Sequence, residues 1–154
     1  MRFIVTVSSH LAGFTLLFLG LLPAPVTGQQ EQPNFNGKWQ LNSSRSALQS
    51  GKPVVASLII EQKPSSIHIV STMNDGGKQG AGDITCTTDG KECEVGGHKL
   101  SFWYSGASLV EMEIGKDVVM KSTIKLDADG KSLTIDVVHV TPTAETDKLV
   151  LEKN

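Results

Sequence analysis

Phe35-Asn36-Gly37-Lys38-Trp39-Gln40-Leu41-Asn42 is the stretch from which the fold is read. Phe35, Gly37, Trp39 and Leu41 alternate with polar residues, the period-2 signature of a strand with one buried face. Trp39 is one of two tryptophans, and a buried indole covers roughly 200 Å² of apolar surface. The stretch therefore predicts an opening strand whose Trp39 floors whatever the later strands close around.

Upstream of it, residues 1–28 read as a signal peptide. Arg2 supplies a positive n-region, residues 11–22 an apolar h-region, and residues 23–28 a c-region. Val26 and Gly28 then occupy −3 and −1 of a cleavage site before Gln29. The competing reading, an uncleaved anchor, needs about 20 mainly apolar residues, and Ser8, Ser9 and His10 interrupt the run. Cleavage after Gly28 leaves 154 less 28, or 126, residues. They comprise a flexible polar arm at 29–34 and a single domain at 35–154, long enough to bury a core. The expected location is secreted or periplasmic, without stable membrane insertion once the leader is gone. The net charge is −2, and −3 without Arg2, with no basic run. Nucleic acid is excluded as a partner on that ground.

Downstream, alternating segments recur at short intervals between Gly, Asp, Asn and Pro. They predict strands at about 54–62, 67–73, 83–88, 91–95, 99–104, 109–114, 118–126, 131–140 and 147–153. The fold class is all-β, an antiparallel up-and-down meander of about 8–10 strands that removes its edges by closing into a barrel. Residues 74–82 are glycine-rich, but Lys78 precedes Gln79 and no helix follows. A hairpin loop is the reading there, not a phosphate loop. Asn42-Ser43-Ser44 is a glycosylation sequon.

Turn residues propose the register. Centring a hairpin on Asp129-Gly130 pairs Leu126 with Leu133, Ile124 with Ile135 and Met120 with His139, all on one face. A turn at Gly115-Lys116-Asp117 pairs Ile114 with Val118 and Met112 with Met120 inside, and sets Glu111 opposite Lys121 outside. A turn at Asp89-Gly90 pairs Thr88 with Lys91, Cys86 with Cys93 and Ile84 with Val95. Directly opposed strand residues stand about 4.5 to 5.5 Å apart at Cα, within disulfide reach, and an exported chain meets oxidising conditions. A Cys86–Cys93 disulfide follows; the rivals are two buried thiols or half of a metal site.

Nothing in the pattern spells catalysis. His68 falls out of phase with Ile67 and Ile69, His98 follows two glycines at a loop edge, and His139 shares the phase of Ile135 and Val137. No Ser-His-Asp or Cys-His spacing stands out, inward carboxylate pairs are not expected, and no cofactor or metal is implied. Leu100, Phe102 and Tyr104 share one phase. With Val110, Met112 and Ile114 placed in step, they give either ordinary core or a pocket wall softened by Met112 and Met120. In the pocket reading the ligand-binding residues are Phe102, Tyr104, Met112, Met120 and His139, with Tyr104 and His139 as polar handles.

Gly37-Lys38-Trp39 on an opening strand, an exported chain of this length and a meander of short strands resemble the calycin superfamily. The likeness is to bacterial lipocalin-like secreted domains and, in strand count, to fatty-acid-binding proteins. The resemblance implies a lipocalin-like barrel holding a small lipophilic molecule. Later lipocalin features are absent. Thr88-Asp89-Gly90 lacks the Tyr of Thr-Asp-Tyr, and in place of an Arg over the tryptophan the last strand offers Lys148 and Lys153. Arg45 is the only arginine after the leader, so carboxylate capture by inward arginines is not carried over. The first expectation is a non-enzymatic carrier or sensor of a hydrophobic or amphipathic ligand. The alternative is a protein-binding module, such as a calycin-type periplasmic protease inhibitor acting through the 29–34 arm. An enzyme on the same scaffold ranks last.

Overall fold

Apolar–polar alternation persists through nearly the whole chain after Phe35, and backbone pairing follows it. The computed structural model describes residues 32–49, 54–75, 78–142 and 144–154. The leader and residues 29–31 of the arm lie outside the described residues. The strands are β1 (Gly37–Leu41), β2 (Val54–Lys63), β3 (Ser66–Asp75), β4 (Lys78–Thr87) and β5 (Asp89–Val95). They continue as β6 (His98–Ser105), β7 (Ser108–Ile114), β8 (Val119–Leu126), β9 (Ser132–Thr141) and β10 (Glu145–Lys153). All ten form one antiparallel sheet in the order β4-β3-β2-β1-β10-β9-β8-β7-β6-β5. The sheet curls into a nearly closed calycin-like barrel.

One end of the barrel is solid. Phe35, Trp39, Phe102, Leu109, Leu133 and Leu151 are buried there to within about 1%. The indole Nε1–H of Trp39 donates to the Phe35 carbonyl at 3.0 Å, which satisfies its polar atom inside the core. Lys153 Nζ lies 5.1 Å from the Trp39 ring centroid, a cation–π contact in the position where the resembled family places arginine. Gly37 makes this possible: a Cβ there would meet Lys153 Cε at 2.7 Å, and its φ of 144° disfavours other residues.

The Asp129-Gly130 hairpin has the expected register, with Leu126 opposite Leu133, Ile124 opposite Ile135 and Met120 opposite His139. Two other expectations need correction. At the β7–β8 turn, Ile114 pairs with Val119, because the connection spans four residues closed by Gly115 N–H to the Val118 carbonyl at 2.8 Å. The one-residue shift turns every β7 side chain over, while β8 keeps Met120 and Ile124 inward. Met112 therefore stands opposite Lys121 on the outer face, while Glu111 opposite Ser122 and Glu113 opposite Met120 face inward. Inward carboxylates, which the pattern did not lead one to expect, are present.

The second correction concerns the disulfide's surroundings. Cys86 and Cys93 are joined, with Cα atoms 5.9 Å apart. No β4–β5 ladder exists among the described residues, however, so Thr88–Lys91 and Ile84–Val95 do not pair. β4 commits its backbone to β3 from Ser66↔Thr87 to Asp75↔Lys78, and β5 starts its ladder with β6 at Asp89↔Trp103. Asp89-Gly90 is a corner, not a hairpin. The disulfide is thus the covalent lace across the barrel's one unpaired seam. β4 also begins earlier than expected, at Lys78, so most of the glycine-rich stretch is strand.

Leu133, fully buried in the solid end, reports on this register. Leu133→Ala is expected to lower unfolding free energy by about 2 to 5 kcal/mol in urea denaturation. A loss below about 0.5 kcal/mol, the range of surface sites, would contradict the packing described.

Candidate functional site

Toward the other end, the same strands diverge from filled core to open space. Along each strand the inward positions change character: Leu109 gives way to Glu111 and Glu113 on β7, and Ile124 to Ser122 and Met120 on β8. On β9 and β10, Ile135 and Leu149 give way to His139 and Asp147. On β4 the inward positions opposite Met73 and Ser71 are Gly80 and Gly82, which carry no side chain. The result is a cavity of about 590 Å³ inside the barrel. Leu58, Ile69, Leu100, Ile124, Ile135 and Leu149 form much of its apolar wall. Ala47 bridges Lys148 through two 2.8 Å backbone hydrogen bonds, which carries Leu48 across into the lining.

Polar groups gather in one region of this wall. His139 and Asp147 form a buried pair, with Nε2 and Oδ2 3.0 Å apart. The other Asp147 oxygen accepts the Gln49 backbone N–H at 2.5 Å. A carboxylate only accepts, so His139 Nε2 carries the shared proton. His139 Nδ1 is buried and has no hydrogen-bond partner among the described residues. At the rim, His98 Nδ1 and Glu113 Oε1 lie 2.5 Å apart. Glu111 is half-buried, with Ser122 as its hydrogen-bond partner. Its pKa is pushed up to about 7, first by burial and then by the neighbouring Glu113 charge, against the lowering effect of Ser122. No lysine or arginine is among the described cavity-lining residues.

The structure distributes the five expected ligand-binding residues over three places. Met120 and His139 line the cavity and stand opposite each other. Phe102 and Tyr104 face inward but belong to the solid end; the Tyr104 hydroxyl is buried there without a hydrogen-bond partner among the described residues, and burial raises its pKa. Met112 is outside, for the register reason given above. Reasoning from sequence missed Glu111, Glu113 and Asp147. Asp147 shares the phase of Leu149 and Leu151, a signal that places it inside. For Glu111 and Glu113 the signal misleads, because the outward set Val110, Met112 and Ile114 is the more apolar of the two. His68 lies on the outer face between Glu61 and Asp83, 2.9 Å from the latter. Among the described residues no group of three or more His, Cys, Asp or Glu could hold a metal ion.

The fold defines a calycin-like β-barrel class. By sequence the chain matches no family model and no curated protein. By structure it is similar to the REP1-NXSQ fatty acid transporter, at 14% identity and a TM-score of 0.58 over 77% of this chain and 95% of that one. It is similar also to wild-type fluorescent protein UnaG, at 13% identity and a TM-score of 0.55 over 78% and 97%. Fatty-acid-binding protein 1 of Echinococcus granulosus gives 12% identity and a TM-score of 0.58 over 77% and 96%. At these identities the likeness is one of fold.

Glu111 makes stability pH-dependent in a known direction. Its folded pKa lies above the ordinary value of 4.5, at about 7, so the folded state holds more protons between those values. Stability from this group is highest below pH 4.5 and falls as pH rises to about 7, by about 3 kcal/mol in all. Glu111→Gln should remove that fall, leaving the variant more stable than the parent at pH 8 and similar at pH 4.5. Urea titrations at the two pH values check it; identical profiles would show that Glu111 is solvated.

Proposed function

We propose that this protein is an exported, non-enzymatic carrier or sensor that holds a small hydrophobic or amphipathic molecule inside its barrel. One observation carries the reading: an internal cavity of about 590 Å³ with mainly apolar walls and a few convergent polar groups. That is the size and character of a small-molecule site, commonly about 300 to 1,000 Å³. The similar folds point the same way, since two of those proteins are described as a fatty acid transporter and a fatty-acid-binding protein. Flexible Met120 in the wall suits a lining that adapts to ligand shape.

Native mass spectrometry of protein taken from its own host, followed by solvent extraction, tests the reading. A bound lipophilic species is expected, and Met120→Trp, which fills the cavity, should abolish it while the protein stays folded. An empty mass, together with no thermal shift from a panel of lipophiles, would refute it.

Export supplies a separate check. The leader-like residues 1–28 and the Cys86–Cys93 disulfide support an oxidising destination, secreted or periplasmic. Intact mass is expected to match a chain beginning at Gln29 and two hydrogens lighter than its reduced form. A mass retaining the leader, or two alkylatable thiols before reduction, would contradict export.

A further inference from the structure

We infer that the ligand carried in this barrel presents a protonated amine, or a comparable hydrogen-bond-donating cation, to the Glu111–His139 end of the cavity, and not a carboxylate. The inference rests on the carrier reading and names the chemistry of that same site.

The polar end sets a buried imidazole nitrogen, unpartnered among the described residues, beside two carboxyl groups, Glu111 and Glu113. His139 is 4% exposed, its Nε2–H is directed to Asp147, and its Nδ1 is buried in the lining with no hydrogen-bond partner among the described residues. When the ring holds only the proton shared with Asp147, that Nδ1 is an acceptor. A buried acceptor left unmatched is costly, so a site retaining one is built for a donor. Glu111 adds a carboxyl whose only protein partner in the cavity is the Ser122 hydroxyl, and no basic side chain pairs with it among the described residues. An anionic headgroup here would meet Glu111 and Glu113 with no arginine or lysine among the described lining residues to offset them. A cationic headgroup meets a carboxylate in a low-dielectric wall, where attraction is strongest.

Binding and protonation are then linked. A cation beside Glu111 favours its ionised form, so amine uptake releases a proton and tightens as pH rises toward neutrality. Other titratable groups share the space around Glu111. They are His98 on β6 with its partner Glu113 on β7, and His139 on β9 with Asp147 on β10. Tyr104, further along β6, is in the solid end. Asp83 on β4 turns its carboxylate to His68 on the outer face. A carboxylate ligand would show the opposite trend, losing affinity as Glu111 ionises.

Calorimetry with dodecylamine, dodecanoic acid and dodecan-1-ol, below their aggregation limits, separates headgroup from tail. At pH 7.5 dodecylamine should bind at least tenfold more tightly than dodecanoic acid, and its affinity should rise between pH 5.5 and 7.5. In Glu111→Gln, shown to be folded by its unfolding midpoint, amine affinity at pH 7.5 should fall about tenfold relative to dodecan-1-ol, and the pH trend should flatten. Dodecanoic acid binding as tightly as the amine would overturn the headgroup inference and leave the carrier reading intact. Dodecan-1-ol binding without the amine would do the same. Failure of all three probes, in protein freed of any resident lipid, would overturn the carrier reading itself.

Discussion

The contact on which the barrel depends is the meeting of its first and last strands over Trp39. β1 pairs with β10 over only three positions, Trp39↔Lys153 to Leu41↔Leu151, yet this short ladder joins the two halves of the sheet. Its shortness is offset by what surrounds it. The indole is held by the Phe35 carbonyl, capped by the Lys153 ammonium and packed among the most deeply buried side chains of the protein. An exposed cation–π contact contributes about 0.5 to 1 kcal/mol, far less than burying the ring, so Lys153 acts mainly by its stem and by fixing the strand's end. Arg45 and Asn42 add exposed contacts to Glu152, which contribute little.

With one end so fixed, the other is free to depart from core composition. The glycines of β4 remove volume, and β7, β8, β9 and β10 exchange leucine and isoleucine for Glu111, Ser122, His139 and Asp147. Such substitutions weaken a core, and the raised pKa of Glu111 measures part of that weakening. Proteins commonly place residues that are unfavourable for stability where binding needs them.

This division explains what was legible in the sequence. Strand number, the Asp129-Gly130 register, the Trp39 floor and the Cys86–Cys93 bond follow from alternation and turn residues, because in the solid half local pattern and global packing agree. The pattern misleads at β7, where the outer face reads Val110, Met112, Ile114 and the inner face Leu109, Glu111, Glu113. A period-2 rule assigns the more apolar set to the interior, and here the cavity claims the polar one. The β4–β5 seam was illegible for another reason. Residues opposed across a hairpin and residues opposed across an unpaired gap have the same sequence spacing, so the cysteines revealed proximity without revealing hydrogen bonding. Asp147, whose phase marks it as inward, acquires meaning only beside His139.

The sheet order also imposes an order of events on folding. Every ladder in the described sheet except β1–β10 joins strands adjacent in the chain, so the stretches from β1 to β4 and from β5 to β10 are made of local hairpins. Hairpins close quickly, whereas the β1–β10 pairing must gather residues more than a hundred positions apart, as the Asn42–Glu152 contact does across 110. During synthesis, β1 therefore waits with one edge unpaired and Trp39 partly uncovered until β10 has emerged. An open edge of this kind recruits other strands as readily as its own. β10 is in this sense the latch of the barrel, and a chain lacking that one strand is expected to aggregate instead of folding to a smaller barrel.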